Sequence, residues 1–181
     1  MPVFSPFEIL FEFLYPTNIP VQAPDPIAVQ GYWLQVSLRP DSPVQSLSFD
    51  IAFAETTNFN SGAGSKYLQA QFIDANGNVN IYSNFFSSAQ PGFLNQVISK
   101  GQTLIYGAQC LALKAGAPVA ATPQSGTGWR GLVSVTPHGS SGNLICEPTQ
   151  RLLYLNLSNT GTPAVFGACV YPVATLAGIV V

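Results

Sequence analysis

Val44-Gln45-Ser46-Leu47-Ser48-Phe49-Asp50-Ile51-Ala52-Phe53-Ala54 is the stretch on which the reading of this chain turns. Leu47, Phe49, Ile51 and Phe53 alternate strictly with Ser46, Ser48, Asp50 and Ala52. Successive side chains of a strand point to opposite faces, so this period of two puts large apolar groups on one side and small or polar ones on the other. Such a strand has one buried face and belongs in an antiparallel sheet. Upstream, Tyr32, Leu34, Val36 and Leu38 repeat the pattern against Gln35 and Ser37. The residues between the two runs, Arg39-Pro40-Asp41-Ser42-Pro43, are turn formers, and the pair is expected to make a hairpin at the centre of an all-β domain.

Outward from that pair the chain continues as short apolar runs separated by turn signals. In residues 7–15, Phe7, Ile9, Phe11 and Phe13 share one face and Glu8, Leu10, Glu12 and Leu14 the other, with Pro6 and Pro16 as brackets. Pro16, Pro20, Pro24 and Pro26 then make a semi-rigid extended arm. Residues 1–26 therefore read as an aromatic strand on a Pro-rich arm, and residues 27–181 as a single β domain. Residues 67–74 and 78–86 are two strands around Ala75-Asn76-Gly77, where Asn-Gly supplies the positive φ angles of a type I′ turn. Further strands are expected at 93–99, 102–113 (bulged at Gly107), 129–136, 150–158, 164–171 and 173–181, with 115–128 a surface loop. No segment carries a convincing amphipathic helix. About 9 to 10 short strands at this spacing predict an antiparallel two-sheet β-sandwich resembling a jelly roll, with little or no helix.

Only 8% of the 181 residues are charged, against roughly 25% in an average domain, while 47% are apolar. The net charge of -2 gives little colloidal repulsion, which favours self-association. It disfavours nucleic-acid binding, because Arg39, Lys66, Lys100, Lys114, Arg130 and Arg151 are isolated and phosphate recognition needs clustered cations. Cys110, Cys146 and Cys169 are odd in number and widely spaced, so they read as buried thiols, with one disulfide and a leftover thiol as the alternative. Met1-Pro2-Val3-Phe4-Ser5-Pro6 lacks a basic, then apolar, leader pattern, so no signal peptide is expected in it. No run of about 18 apolar residues is present, so no helical membrane span is expected.

The motifs that resemble chemistry each lack a necessary part. Gly126-Thr127-Gly128-Trp129-Arg130-Gly131 matches G-x-G-x-x-G, but the strand-like Leu132-Val133-Ser134-Val135 follows where a phosphate-binding helix would have to start. Asp74-Ala75-Asn76-Gly77-Asn78 opens like a calcium loop, yet Val79 and Phe85 stand where an EF-hand needs Gly and Glu. His138, the only histidine, falls in Thr136-Pro137-His138-Gly139-Ser140-Ser141-Gly142, which reads as a solvated loop, without an orienting acid or an oxyanion hole. Asp50 and Glu55 sit near the ends of one strand and make no visible pair. Asn156-Leu157-Ser158 is a glycosylation triplet inside an expected strand and is taken as chance.

No catalytic set, cofactor or metal is therefore expected. The favoured reading is a non-enzymatic structural subunit of a surface filament, shell or coat, whose partners are copies of itself. Its assembly device would be Phe7, Ile9, Phe11 and Phe13, donated as a strand to a neighbour's sheet, each contributing about 1.5 to 3 kcal/mol on burial. The opposing possibility is that this strand folds back onto its own sheet. A filament, shell or coat would place the protein outside the cell or on a particle surface. The rival reading is a carbohydrate-binding module that stacks sugars on Trp33 or Trp129.

Overall fold

The computed structural model describes residues 3–13, 26–56, 68–83, 85–87, 90–110, 129–139, 141–156, 164–176 and 181. They form β1 (Val3–Phe13), β2 (Pro26–Leu38), β3 (Ser46–Glu55), β4 (Leu68–Ile73), β5 (Val79–Ser83), β6 (Gly92–Ser99), β7 (Thr103–Cys110), β8 (Trp129–His138), β9 (Leu144–Asn156) and β10 (Ala164–Pro172), with one 3-10 turn at Phe85–Ser87. Every ladder among the described residues is antiparallel. No helix among the described residues is long and apolar enough to cross a membrane.

The antiparallel, nearly helix-free class agrees with the alternation in the sequence. The layering differs from two separate sheets. β2 pairs along its whole length with β9 on one flank, while β1 and β7 share the other flank end to end. The second half of β1 (Leu10–Phe13) lies on β2, and its first half (Val3–Ile9) lies on β8, which leads on to β3 and β6. One ten-stranded sheet therefore curls into a half-barrel through β1, in the order β5-β4-β7-β2-β1-β8-β3-β6, with β9 and β10 branching from β2.

The concave side holds the core. Leu47, Phe49, Ile51 and Phe53 are buried as their period requires, opposite Tyr32, Leu34, Val36 and Leu38. The expected hairpin between these two runs does not form. β2 pairs with β1, β7 and β9, and β3 with β6 and β8, so the connection from Arg39 carries the chain from one arm of the curl to the other. Two half-buried strands satisfy their apolar faces equally well across a core as side by side, and backbone and side-chain bonds from the connection to Asn143 favour the first arrangement here. Aromatic rings fill the space between the arms: Phe7 to Phe53 (5.4 Å), Phe53 to Phe86 (5.6 Å), Phe85 to Phe93 (4.8 Å) and Phe93 to Tyr106 (4.9 Å). All four pairs are tilted or edge-on, the kind of arrangement the ring quadrupole favours over face-to-face stacking.

Several element boundaries also move. The β4–β5 turn is not type I′, because Gly77 (φ 84°) has positive φ and Asn76 does not. Gly77 N–H donates to the Asp74 carbonyl (3.0 Å), and Asp74 pairs with Asn78, which makes a three-residue loop ending on a left-handed glycine. Residues 173–176 are not a strand, although Val181 exchanges both backbone bonds with Leu144. β9 begins at Leu144, ahead of the expected 150, and Phe85–Ser87 is a 3-10 turn and not a strand end. Residues 17–25 and 115–128 lie outside the described residues.

Candidate functional site

Among the described residues, β5, β6 and β10 each pair on one side only. Their exposed side chains are Val79, Ile81 and Tyr82 on β5, Leu94 and Val97 on β6, and Val165, Phe166, Val170 and Tyr171 on β10. Among the described residues only Leu176 is an exposed large apolar residue outside these three strands. None of the three carries a Lys, Arg, Asp or Glu. Soluble proteins usually blunt an open edge with charge, proline or a cover, because its free N–H and C=O groups are a template for another strand. Here the open edges carry no charge, their exposed large side chains are apolar, and β10 holds a single proline, Pro172.

The described residues hold one cluster of groups with catalytic character. Ser48 and Asp50 lie on the polar face of β3, and the β3–β8 register sets Ser48 opposite His138 and Asp50 opposite Thr136. His138 Nε2 is 2.9 Å from Asp50 Oδ2, and its Nδ1 is 3.3 Å from Ser48 Oγ. His138 therefore closes β8 and does not lie in the expected loop, although it is solvent-exposed as expected. The expected strand stops at 136, but β8 runs on through Pro137, because the β1 ladder has ended at Ser134 and proline is tolerated where a strand is paired on one side. A bulge in β6 lifts Asn95 (φ 53°) so that its N–H donates to Asp50 Oδ1 at 2.7 Å. That bond first, and His138 second, hold the Asp50 carboxyl below its ordinary range. The order Ser–His–Asp resembles a hydrolytic triad, but Ser48 lies in a strand laddered on both flanks, so its own N–H belongs to the sheet and is not offered to an oxyanion.

A polar row crosses the seam where β1 changes partners. Arg130 Nε donates to Glu8 Oε1 (2.5 Å), Gln30 Nε2 donates to Glu8 Oε2 (3.4 Å), and Tyr171 Oη donates to Gln30 Oε1 (2.6 Å). Gln30 is buried, and these bonds satisfy its amide. Nearby, Ser5 Oγ and Tyr32 Oη, both fully buried, are 2.7 Å apart, and burial pushes the Tyr32 phenol well up.

The residues singled out from sequence are placed as follows. Phe7 and Ile9 are buried in the core of their own chain, while Phe11 and Phe13 pair through their backbones with Val29 and Ile27, their side chains lying outside the described residues. Trp33 lies on the outer face, as its phase in β2 implies, but is 7% exposed. Its ring covers Gly107, its cross-strand partner, and Arg151 Cζ sits 4.3 Å from the ring centroid. Trp129 begins β8 opposite Ile9, and its side chain is not among those described. In the G-x-G-x-x-G string, Gly131 serves packing, since a Cβ there would run into the Ala54 carbonyl and the Phe7 ring. Asp74 accepts from Asn76 N–H, Asn78 N–H and the Asn78 side chain, which commits its oxygens to the turn. Cys146 is a buried free thiol and Cys169 an exposed one, so they are not bridged, and the Cys110 side chain lies outside the described residues.

Sequence reasoning missed the three edges and the His138 pairing. Both depend on strand order and register, which local periodicity does not carry. Comparison of the chain with protein-family models, curated proteins and solved structures finds no match.

Proposed function

We propose that this protein is a non-enzymatic structural subunit that assembles with copies of itself through its open sheet edges. The observation that carries the reading is that, among the described residues, every exposed large apolar side chain but Leu176 lies on the three uncharged strands that have an unpaired side. Pairing an edge with a neighbour's strand satisfies main-chain groups and covers alternate side chains together. Each Val, Ile, Leu or Phe fully covered contributes about 1.5 to 3 kcal/mol before ordering costs. With a net charge of -2, long-range repulsion opposing contact is small.

Exchange of β1 is a second route to the same end. The contacts that bury Phe7 and Ile9 within one chain would be reproduced in a neighbour if the connection after residue 13 crossed between subunits. Of the two rings on which the sugar-stacking reading rests, Trp33 is covered, lying between Arg151 and Gly107, and the Trp129 side chain lies outside those described.

Light scattering over a concentration series, followed by negative-stain microscopy, tests the proposal. The expected result is a mass that grows with concentration and regular particles. Lysine substitution at Val79, Val97 and Val170 together, which places a charge on each edge, is expected to give a folded monomer. A parent chain that stays monomeric at every concentration would refute assembly.

A further inference from the structure

Resting on that reading, we propose that β10 is the primary contact and pairs antiparallel with β10 of a second copy about a two-fold axis at Cys169. The register follows from backbone bonding. Val173 N–H donates to the Pro148 carbonyl at 3.0 Å, and this continues the β9–β10 register in which Pro172 meets Thr149 and Tyr171 meets Gln150. In an antiparallel ladder bonded and non-bonded pairs alternate. Val173, Tyr171 and Cys169 therefore turn their main-chain groups toward β9, and Pro172, Val170 and Ala168 turn theirs outward. Proline has no N–H, and its place at an outward position agrees with this phase.

The open row thus offers Ala168 and Val170 with both donor and acceptor, and Pro172 with an acceptor only. A two-fold axis at Val170 would set Ala168 against Pro172 of the other copy and lose a donor. An axis at Ala168 would set Val170 against Phe166, inside the irregularity between Val165 and Gly167. An axis at Cys169 pairs Ala168 with Val170 of the second copy and Val170 with its Ala168. Four bonds close, and the contact is self-complementary, as a two-fold interface must be. No charge on β10 selects an oppositely charged partner, and Val170, 62% exposed, is covered by the second copy, its backbone paired with that copy's Ala168.

In this register the two Cys169 residues form a non-hydrogen-bonded pair, with Cα atoms about 4.5 Å apart. That lies at the near end of the range a disulfide spans. Cys169 is exposed, whereas burial pushes the Cys146 thiol up to about 12 and keeps it inert.

The test is oxidation of the full chain with diamide, read on non-reducing gels, beside light scattering of the reduced protein. The expected result is a covalent dimer that persists in Cys110→Ser, is absent in Cys169→Ser, and forms roughly tenfold or more slowly in Val170→Lys, because pairing raises the local thiol concentration. The reduced parent chain should be dimeric or larger, and Val170→Lys should shift its mass downward. Larger species that neither cross-link through Cys169 nor respond to Val170→Lys would overturn the β10 register and leave edge assembly standing. A monomer at all concentrations would overturn both. Far-UV circular dichroism of each variant confirms that the fold is kept.

Discussion

Trp33 and Gly107 face one another across β2 and β7, and the indole lies so close over the glycine that any Cβ there would enter the ring. This allows a double-mutant cycle with a sign that can be worked in advance. Trp33→Ala removes a ring that is 7% exposed, which costs about 3 to 5 kcal/mol, including the contact to Arg151. Gly107→Ala overpacks the same spot and costs about 1 to 3 kcal/mol, since its three nearest neighbouring atoms all belong to Trp33. Made together, the new methyl occupies space the indole has left, so the double variant should fall short of the sum by about 1 to 3 kcal/mol. Urea unfolding followed by far-UV circular dichroism reads all four corners. With a slope of about 2 kcal/mol/M, Trp33→Ala moves the midpoint by about 2 M. Effects that add to within about 0.5 kcal/mol would refute the packing account. A stable Trp33→Ala would return the ring to consideration as a ligand platform.

Three other outcomes are expected. The Asp50 carboxyl is held below its ordinary value, so its stabilising contribution is present above about pH 4 and is lost as pH falls through the lowered folded value; Asp50→Asn should be less stable than the parent chain at pH 7, with the gap closing toward pH 2, and a gap independent of pH would count against the Asn95 and His138 contacts. Ser5→Ala leaves the Tyr32 hydroxyl buried without its partner and should cost about 1 to 3 kcal/mol, whereas adding Tyr32→Phe should recover part of it; no recovery in thermal unfolding would show that the bond is not what matters. Gly77→Ala meets no neighbour but strains a φ of 84°, so a loss of about 1 kcal/mol is expected in urea titration, and an unchanged midpoint would argue against the left-handed turn.

What could be read from sequence was local. The alternation of Leu47, Phe49, Ile51 and Phe53 names the buried face of β3 without knowledge of any partner. The same alternation is silent on whether Tyr32 to Leu38 lies beside that strand or across the core from it, and the turn formers between them suit either. The expected strands stop at 136 and resume at 150, yet Pro137 and Pro148 both sit within strands, Pro148 accepting from Val173 N–H. The open edges were hidden for a related reason. Val79 and Ile81, or Val165 and Val170, read simply as strand residues until the order of the sheet shows that no described strand lies beyond them.

The double pairing of β1 also has a consequence in time. Its second half waits only for β2, which follows closely, but its first half waits for β8: Glu8 and its partner Arg130 are 122 residues apart. At synthesis rates of roughly 5 to 20 residues per second, β1 emerges about 6 to 24 s before the strand that completes its pairing. Contacts of such long sequence separation form slowly even in a full-length chain. Throughout that interval the β8-facing flank of β1 is open to a nascent neighbour as much as to its own chain. Whether β1 is shared between subunits is then decided by the rate of chain closure against encounter, and refolding at high concentration should trap more exchanged oligomer than refolding at high dilution. Equal yields at both would mean that β1 commits to its own β8 before any neighbour arrives.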